Sequence, residues 1–248
     1  MKNTDLTGLA PGVAKKIAPM IEDIAAAHGQ NLHSFHIVGS AILPDYNEKI
    51  SDVNSVVVLR SMDLRFIEFL APLGRKYGKK GIAAPLVMTP DYIRDSLDAF
   101  PIEFLDFKLI HKTVYGDDVF SALDIGKTHL RLQCEREIKT KQIGLRQGYI
   151  SSLGKRKDLS AVLTRSFTGT MALFRAVILL MDKQPPVARA EVINQFGSCC
   201  GIGTDIFREL LALKSGNSKP SEQELRRMFE RYSETLDAVR KIIDELPS

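Results

Sequence analysis

Apolar residues recur at three- and four-residue intervals across residues 12–28 (GVAKKIAPMIEDIAAAH), placing Val13, Ile17, Ile21 and Ile24 on one side. That period predicts an amphipathic helix. Pro19 lacks an amide hydrogen, so a start or a bend is expected there, and Gly29 is placed to end the helix. The pattern then shortens. Phe35 to Val38 is a brief apolar run that predicts a strand, and it enters Gly39-Ser40 directly. Ser55 to Arg60 predicts a second strand, and Asp63 to Lys76 a helix packed through Leu64, Ile67, Phe69, Leu70 and Leu73, with Ser61 or Asp63 as its cap. Ile82 to Met88 supplies a third strand, and Thr89-Pro90 opens a further helix. Ile102 to Phe107 alternates as a fourth strand would, with Glu103 and Leu105 on one face and Phe104 and Asp106 on the other.

From about Lys127 the helical period takes over, predicting four or five helices. These run over Leu130–Leu153, Leu159–Met181, Ala188–Phe196, Asp205–Leu213 and a final one to Leu246. Ser221 and Glu224 form a capping box at the head of that last helix. Pairs four apart, Glu135 with Lys139 and Glu137 with Lys141, should brace the first. Gly197 to Gly203 reads as an interhelix loop, since no strand precedes its glycines and no lysine follows as in a phosphate loop. Arg165 and Arg175 lie in apolar surroundings; each can snorkel, pair with an acid such as Glu191, or face a phosphate. The fold class expected is α+β: a small mixed β-sheet domain over residues 1–124 followed by an up-and-down helical bundle over 125–248.

Composition narrows the setting. With 248 residues, 44% hydrophobic and 26% charged, the chain can bury a substantial core. Three cysteines argue against a disulfide framework, and the vicinal Cys199-Cys200 lack the partners a structural zinc needs. Acids and prolines fall too early for a signal sequence, and arginines interrupt the most apolar stretch, so a cytoplasmic protein with no membrane partner is expected. A net charge of +4 suits an anionic ligand without indicating nucleic acid. The absence of Trp argues against a base-stacking surface.

The candidate chemistry gathers in residues 36–59, HIVGSAILPDYNEKISDVNSVVVL. A strand, a Gly-Ser turn, a polar loop and a strand headed by Asp52 can set a phosphate-facing turn beside a metal-facing strand end. This segment resembles the nucleotidyltransferase superfamily, whose fold is like that of DNA polymerase beta. Its pattern is Gly-Ser or Gly-Gly, roughly ten residues, then acid, hydrophobic, acid and a hydrophobic strand. Gly39 and Ser40 match the first element, Asp52 the first acid and Val53 the spacer, whereas Asn54 replaces the second acid.

The resemblance implies Mg²⁺ and a nucleoside triphosphate as cofactors, with Gly39 and Ser40 on the nucleotide and Asp52, Asn54 and Glu103 as metal-binding and catalytic positions. Asp106 is the alternative third acid, and Asp45 and Glu48 are further acids nearby. It implies transfer of a nucleoside monophosphate to a small-molecule or protein acceptor. An amide brings no negative charge, so that transfer is weakened. The alternative is a catalytically inactive nucleotide-binding or protein-interaction module, and a homo-oligomer is compatible with either. His33 and His36 are expected on opposite faces of their strand and so not in one metal site. Asp117 and Asp118 read as helix caps rather than ligands.

Overall fold

The computed structural model describes residues 4–48 and 51–246. The chain divides into two compact units, one formed by the chain up to Leu97 with Phe104–Asp124, the other by Asp98–Glu103 with the chain from Ile125. The first holds a mixed four-stranded sheet and the second a set of helices, the α+β architecture expected of the sequence.

In the sheet unit, α1 (Pro11–His28) runs through Pro19 and buries Val13, Ile17, Met20, Ile21 and Ile24. Strand β1 (Leu32–Val38) follows, then a 3-10 turn (Gly39–Ile42) and β2 (Asn54–Leu59). Helix α2 (Leu64–Gly78) is capped by the Asp63 side chain, which accepts from the Arg65 N–H. The sheet order is β3-β2-β1-β4. β1 lies antiparallel to both β2 and β4, while β2 and β3 run parallel. Phe35, Ile37, Val53 and Val57 form one core with the apolar stripes of α1 and α2 (Phe66, Leu70 and Tyr77). The opposite face carries His36, Val38 and Val56, against which Phe120 packs, its ring 4.7 Å from that of His36.

Two strand expectations are corrected. β3 is only Leu86–Met88, with Ile82 making an isolated bridge to Val53. The predicted strand over 102–107 is instead part of a helix, α4 (Pro101–Leu109), which follows the short α3 (Pro90–Asp95). Burial at Ile102, Phe104 and Leu105 with Glu103 exposed follows a helical rather than a two-residue period. Six residues of Ile-Glu-Phe-Leu-Asp-Phe satisfy both periods, so periodicity does not separate them. The fourth strand, β4, is His111–Gly116. Among the described strands it pairs with β1 alone, and it buries only Val114, which hides it from a search for apolar alternation. Gly116 ends it at φ +79°, where an added Cβ would stand 2.1 Å from the His33 carbonyl oxygen.

The second unit contains α5 (Lys127–Ser152), α6 (Arg156–Phe167), α7 (Thr170–Leu180), α8 (Arg189–Cys200), α9 (Asp205–Lys214) and α10 (Glu222–Glu245). The single helix expected over 159–181 is two, broken at Gly169, which adopts φ +76°. Residues 156–180 have the length and apolar composition of a membrane span, but half of the most apolar window is buried within the protein. Helix α8 absorbs Gly197 to Cys200, shortening the expected loop, and Gly201 ends it in the left-handed region. There α8 approaches its connection to α9 closely: a Cβ on Gly197 would meet Thr204 Cγ2 at 2.3 Å. The Ser221–Glu224 capping box is present, as is the Glu135–Lys139 pair. Lys141 instead donates to the Ser166 and Thr168 carbonyl oxygens at 3.0 and 2.7 Å, and burial lowers its pKa.

Candidate functional site

Gly39 ends β1 with φ +71° in open space, so its backbone angle, not crowding, is what favours glycine. Its N–H donates to the Ile110 carbonyl at 3.1 Å. In an i→i+3 turn that opens at Gly39 the Ser40 N–H has no acceptor, whereas the Ala41 N–H faces the Val38 carbonyl. Asn54 pairs with Val38, the residue before Gly39. Asp52 and Asn54 are both exposed and flank the buried Val53, so the two-residue period puts them on one face. The backbone fixes this strand end: Val53 N–H donates to the Gly81 carbonyl at 2.8 Å, and Ala83 N–H to the Val53 carbonyl at 3.0 Å.

Gly81 adjoins the carboxylate, since a Cβ built there would lie 3.7 Å from Asp52 Oδ1. Lys16 reaches the same region and pairs with Glu48 at 2.8 Å. That hydrogen bond raises the Lys16 pKa against the opposing effect of burial, and the fields of Glu48, Tyr46 and Asp52 add to it. Tyr46 donates to the Ser51 carbonyl at 3.0 Å, bracing the loop that leads to Asp52. The Gly-Ser turn and the Asp52–Asn54 edge thus occupy one end of the sheet.

Glu103 and Asp106, expected on a strand, lie elsewhere. None of the four strands contains an Asp or a Glu: β1 is LHSFHIV, β2 NSVVVL, β3 LVM and β4 HKTVYG. Glu103 sits in the first turn of α4, and Gln133 Nε2 donates to its Oε2 at 2.7 Å. Asp106 also lies on α4. A third acid supplied by a strand beside β2 is therefore not part of this sheet. Arg175 is 2% exposed and spends its guanidinium on the chain, donating to the Pro186 and Val187 carbonyls at 3.1 and 2.9 Å.

One constellation was not foreseen. His36, buried on β1, lies with His111 at the head of β4 and Asp118 in the following loop. His111 Nε2 is 3.0 Å from Asp118 Oδ1. Burial, then the neighbouring His111, pushes the His36 pKa down to about 3. Burial would raise the Asp118 pKa, but the Ser121 hydroxyl and the Phe120 and Ser121 N–H groups outweigh it and bring it to about 2. The spacing of His33 and His36 concealed this grouping, because the partner of His36 comes from β4 and not from its own strand. A signal was present in His111 and Asp118, seven residues apart around Gly116.

Fold and site together define an α+β chain with a small mixed sheet, a Gly-Ser turn at the end of β1 and an acid–amide pair beside it. No protein-family model matches the sequence, and no match is found among curated proteins. Among solved structures the chain is similar to spectinomycin adenyltransferase AAD(9) from Enterococcus faecialis, crystallised with ATP and spectinomycin. The identity is 13%, the match covers 87% of this chain and 98% of that one, and the TM-score is 0.41. A likeness at that level says nothing about chemistry, which rests on the residues themselves.

Proposed function

We propose that this chain is a nucleotidyltransferase-like protein that binds a nucleoside triphosphate with one Mg²⁺ at the end of its sheet, and that its transfer chemistry is held back by a missing carboxylate. The observation that carries this reading is the exposed Asp52–Asn54 pair beside the Gly39-Ser40 turn. Mg²⁺ takes oxygen ligands and keeps several waters, so one carboxylate, one amide oxygen and the phosphates themselves suit a single ion. When bound, that ion neutralises phosphate charge. Asp52 and Asn54 would hold it, and the Ser40 hydroxyl and N–H would orient the phosphates.

A second ion of the kind that activates an attacking oxygen needs more anionic ligands than this edge offers. Binding is accordingly favoured over rapid turnover. Transfer of a nucleoside monophosphate to a small-molecule or protein acceptor remains the reaction this geometry serves, at reduced rate. The test is calorimetric titration with ATP in the presence and absence of Mg²⁺. Asp52 is exposed, so Asp52→Ala should fold normally and weaken Mg²⁺-dependent binding at least tenfold, about 1.4 kcal/mol. Equal affinity in the variant, or no binding by the wild type at millimolar ATP, overturns the proposal.

A further inference from the structure

The sheet unit contains a second set of donors, separate from the Asp52–Asn54 edge. One ligand atom from each of His36, His111 and Asp118 lies within 4.8 Å of the other two. Strand pairing explains the meeting. His36 pairs with Thr113 and Val38 with His111, so both histidines stand on one sheet face as diagonal neighbours, their rings 5.9 Å apart. The turn at Gly116 then returns the chain, and Asp118 is held by accepting the Phe120 and Ser121 N–H groups at 2.9 and 3.1 Å.

We propose that His36, His111 and Asp118 form a Zn²⁺ site with three protein ligands and one open position. Two imidazoles and a carboxylate suit zinc rather than Mg²⁺, which prefers an all-oxygen shell. Hydrogen bonding within the protein does not complete the cluster. A carboxylate only accepts, so the His111 nitrogen facing Asp118 carries the proton and the other ring nitrogen a lone pair. That other nitrogen, Nδ1, is buried without a partner, on a side chain only 8% exposed. A purely structural pair of buried histidines would have its ring nitrogens served. Tautomer exchange moves the lone pair between the two ring nitrogens, so the nitrogen facing Asp118 can serve an ion.

His36 can release a nitrogen without leaving an orphan. Its Nε2 is 2.8 Å from the Ser34 hydroxyl, which also lies 3.3 Å from His33 Nδ1 and so keeps a partner. Its Nδ1, 2.9 Å from the Thr113 hydroxyl, would then orient the ring as the outer hydrogen bond of a metal-bound histidine does. Tetrahedral zinc ligands stand about 3.4 Å apart, so the cluster must contract slightly. Asp118, whose side chain is 39% exposed on a loop, can supply that movement and the path of entry. The bound ion would fasten this loop to β1 and β4. Val38 lies between His111 and Asn54 across the sheet, and none of the three zinc ligands belongs to the Asp52–Asn54 pair.

The experiment titrates the chelator-treated 248-residue chain with Zn²⁺ and with Co²⁺. One equivalent should bind, and Co²⁺ should show the visible absorption of a four-coordinate ion. His111→Gln and Asp118→Asn should each weaken Zn²⁺ binding tenfold or more, while His129→Gln, on the exposed side of α5, should not. Absence of stoichiometric uptake, or equal affinity in the two cluster variants, overturns the proposal. Where a variant does not fold, imidazole ¹⁵N spectra of the wild type decide. Zn²⁺ must shift the His36 and His111 ring resonances together, and unchanged resonances reject the site.

Discussion

At the residue scale, the proposed nucleotide site turns on position 54. Asn54 offers a neutral amide where a carboxylate would double the negative charge facing a cation. Asn54→Asp should therefore tighten Mg²⁺-dependent nucleotide binding about tenfold and raise any transfer rate; no change in either would exclude charge deficit as the limiting feature. Leu86 bears on the same point. It pairs with Val56 in parallel register, so it faces the same side as Asn54, and it is 49% exposed. Asn54→Asp combined with Leu86→Glu should bind Mg²⁺ more tightly than Asn54→Asp alone, as read by competition with a metal indicator. Arg175 illustrates the opposite kind of residue. Its buried guanidinium satisfies two loop carbonyls, and Arg175→Met should cost about 2–4 kcal/mol in urea unfolding with little effect on nucleotide affinity.

At the element scale, most helices and their caps were legible in the sequence because their signals are local. Asp63, Thr89 and Ser221 each accept from the backbone at the predicted helix start. Ser221→Ala should destabilise the helical unit by about 1 kcal/mol, measured by chemical denaturation. The strands were less legible. β4 lies at the sheet edge and shows only Val114 to the core, while α4 carries six residues that fit either period. Glycine angles in the left-handed region decided further boundaries, splitting α6 from α7 at Gly169 and ending β4 at Gly116. Gly116→Ala would drive a Cβ into the His33 carbonyl, and loss of cooperative folding of the sheet unit by near-UV circular dichroism is the expected result.

At the scale of the whole molecule, a ligand that binds one folded unit stabilises that unit by mass action. Mg²⁺ with ATP at a hundredfold over its dissociation constant should stabilise the sheet unit by about 2.7 kcal/mol. The calorimetric transition of the sheet unit should rise in the wild type and stay in place in Asp52→Ala.

Sequence alone determined the α+β class, the helical second half, the Gly-Ser turn and the Asp52–Asn54 edge. These depend on periods of two and 3.6 residues and on neighbours close in the chain. Only the tertiary structure decided that no strand carries an acid, that Glu103 lies on a helix, and that His36 meets His111 and Asp118. The last of those facts depends on which strand pairs with which, and in what register, across more than seventy residues of chain. Pairing at that separation is selected by the packing of a whole sheet, and local periodicity does not encode it.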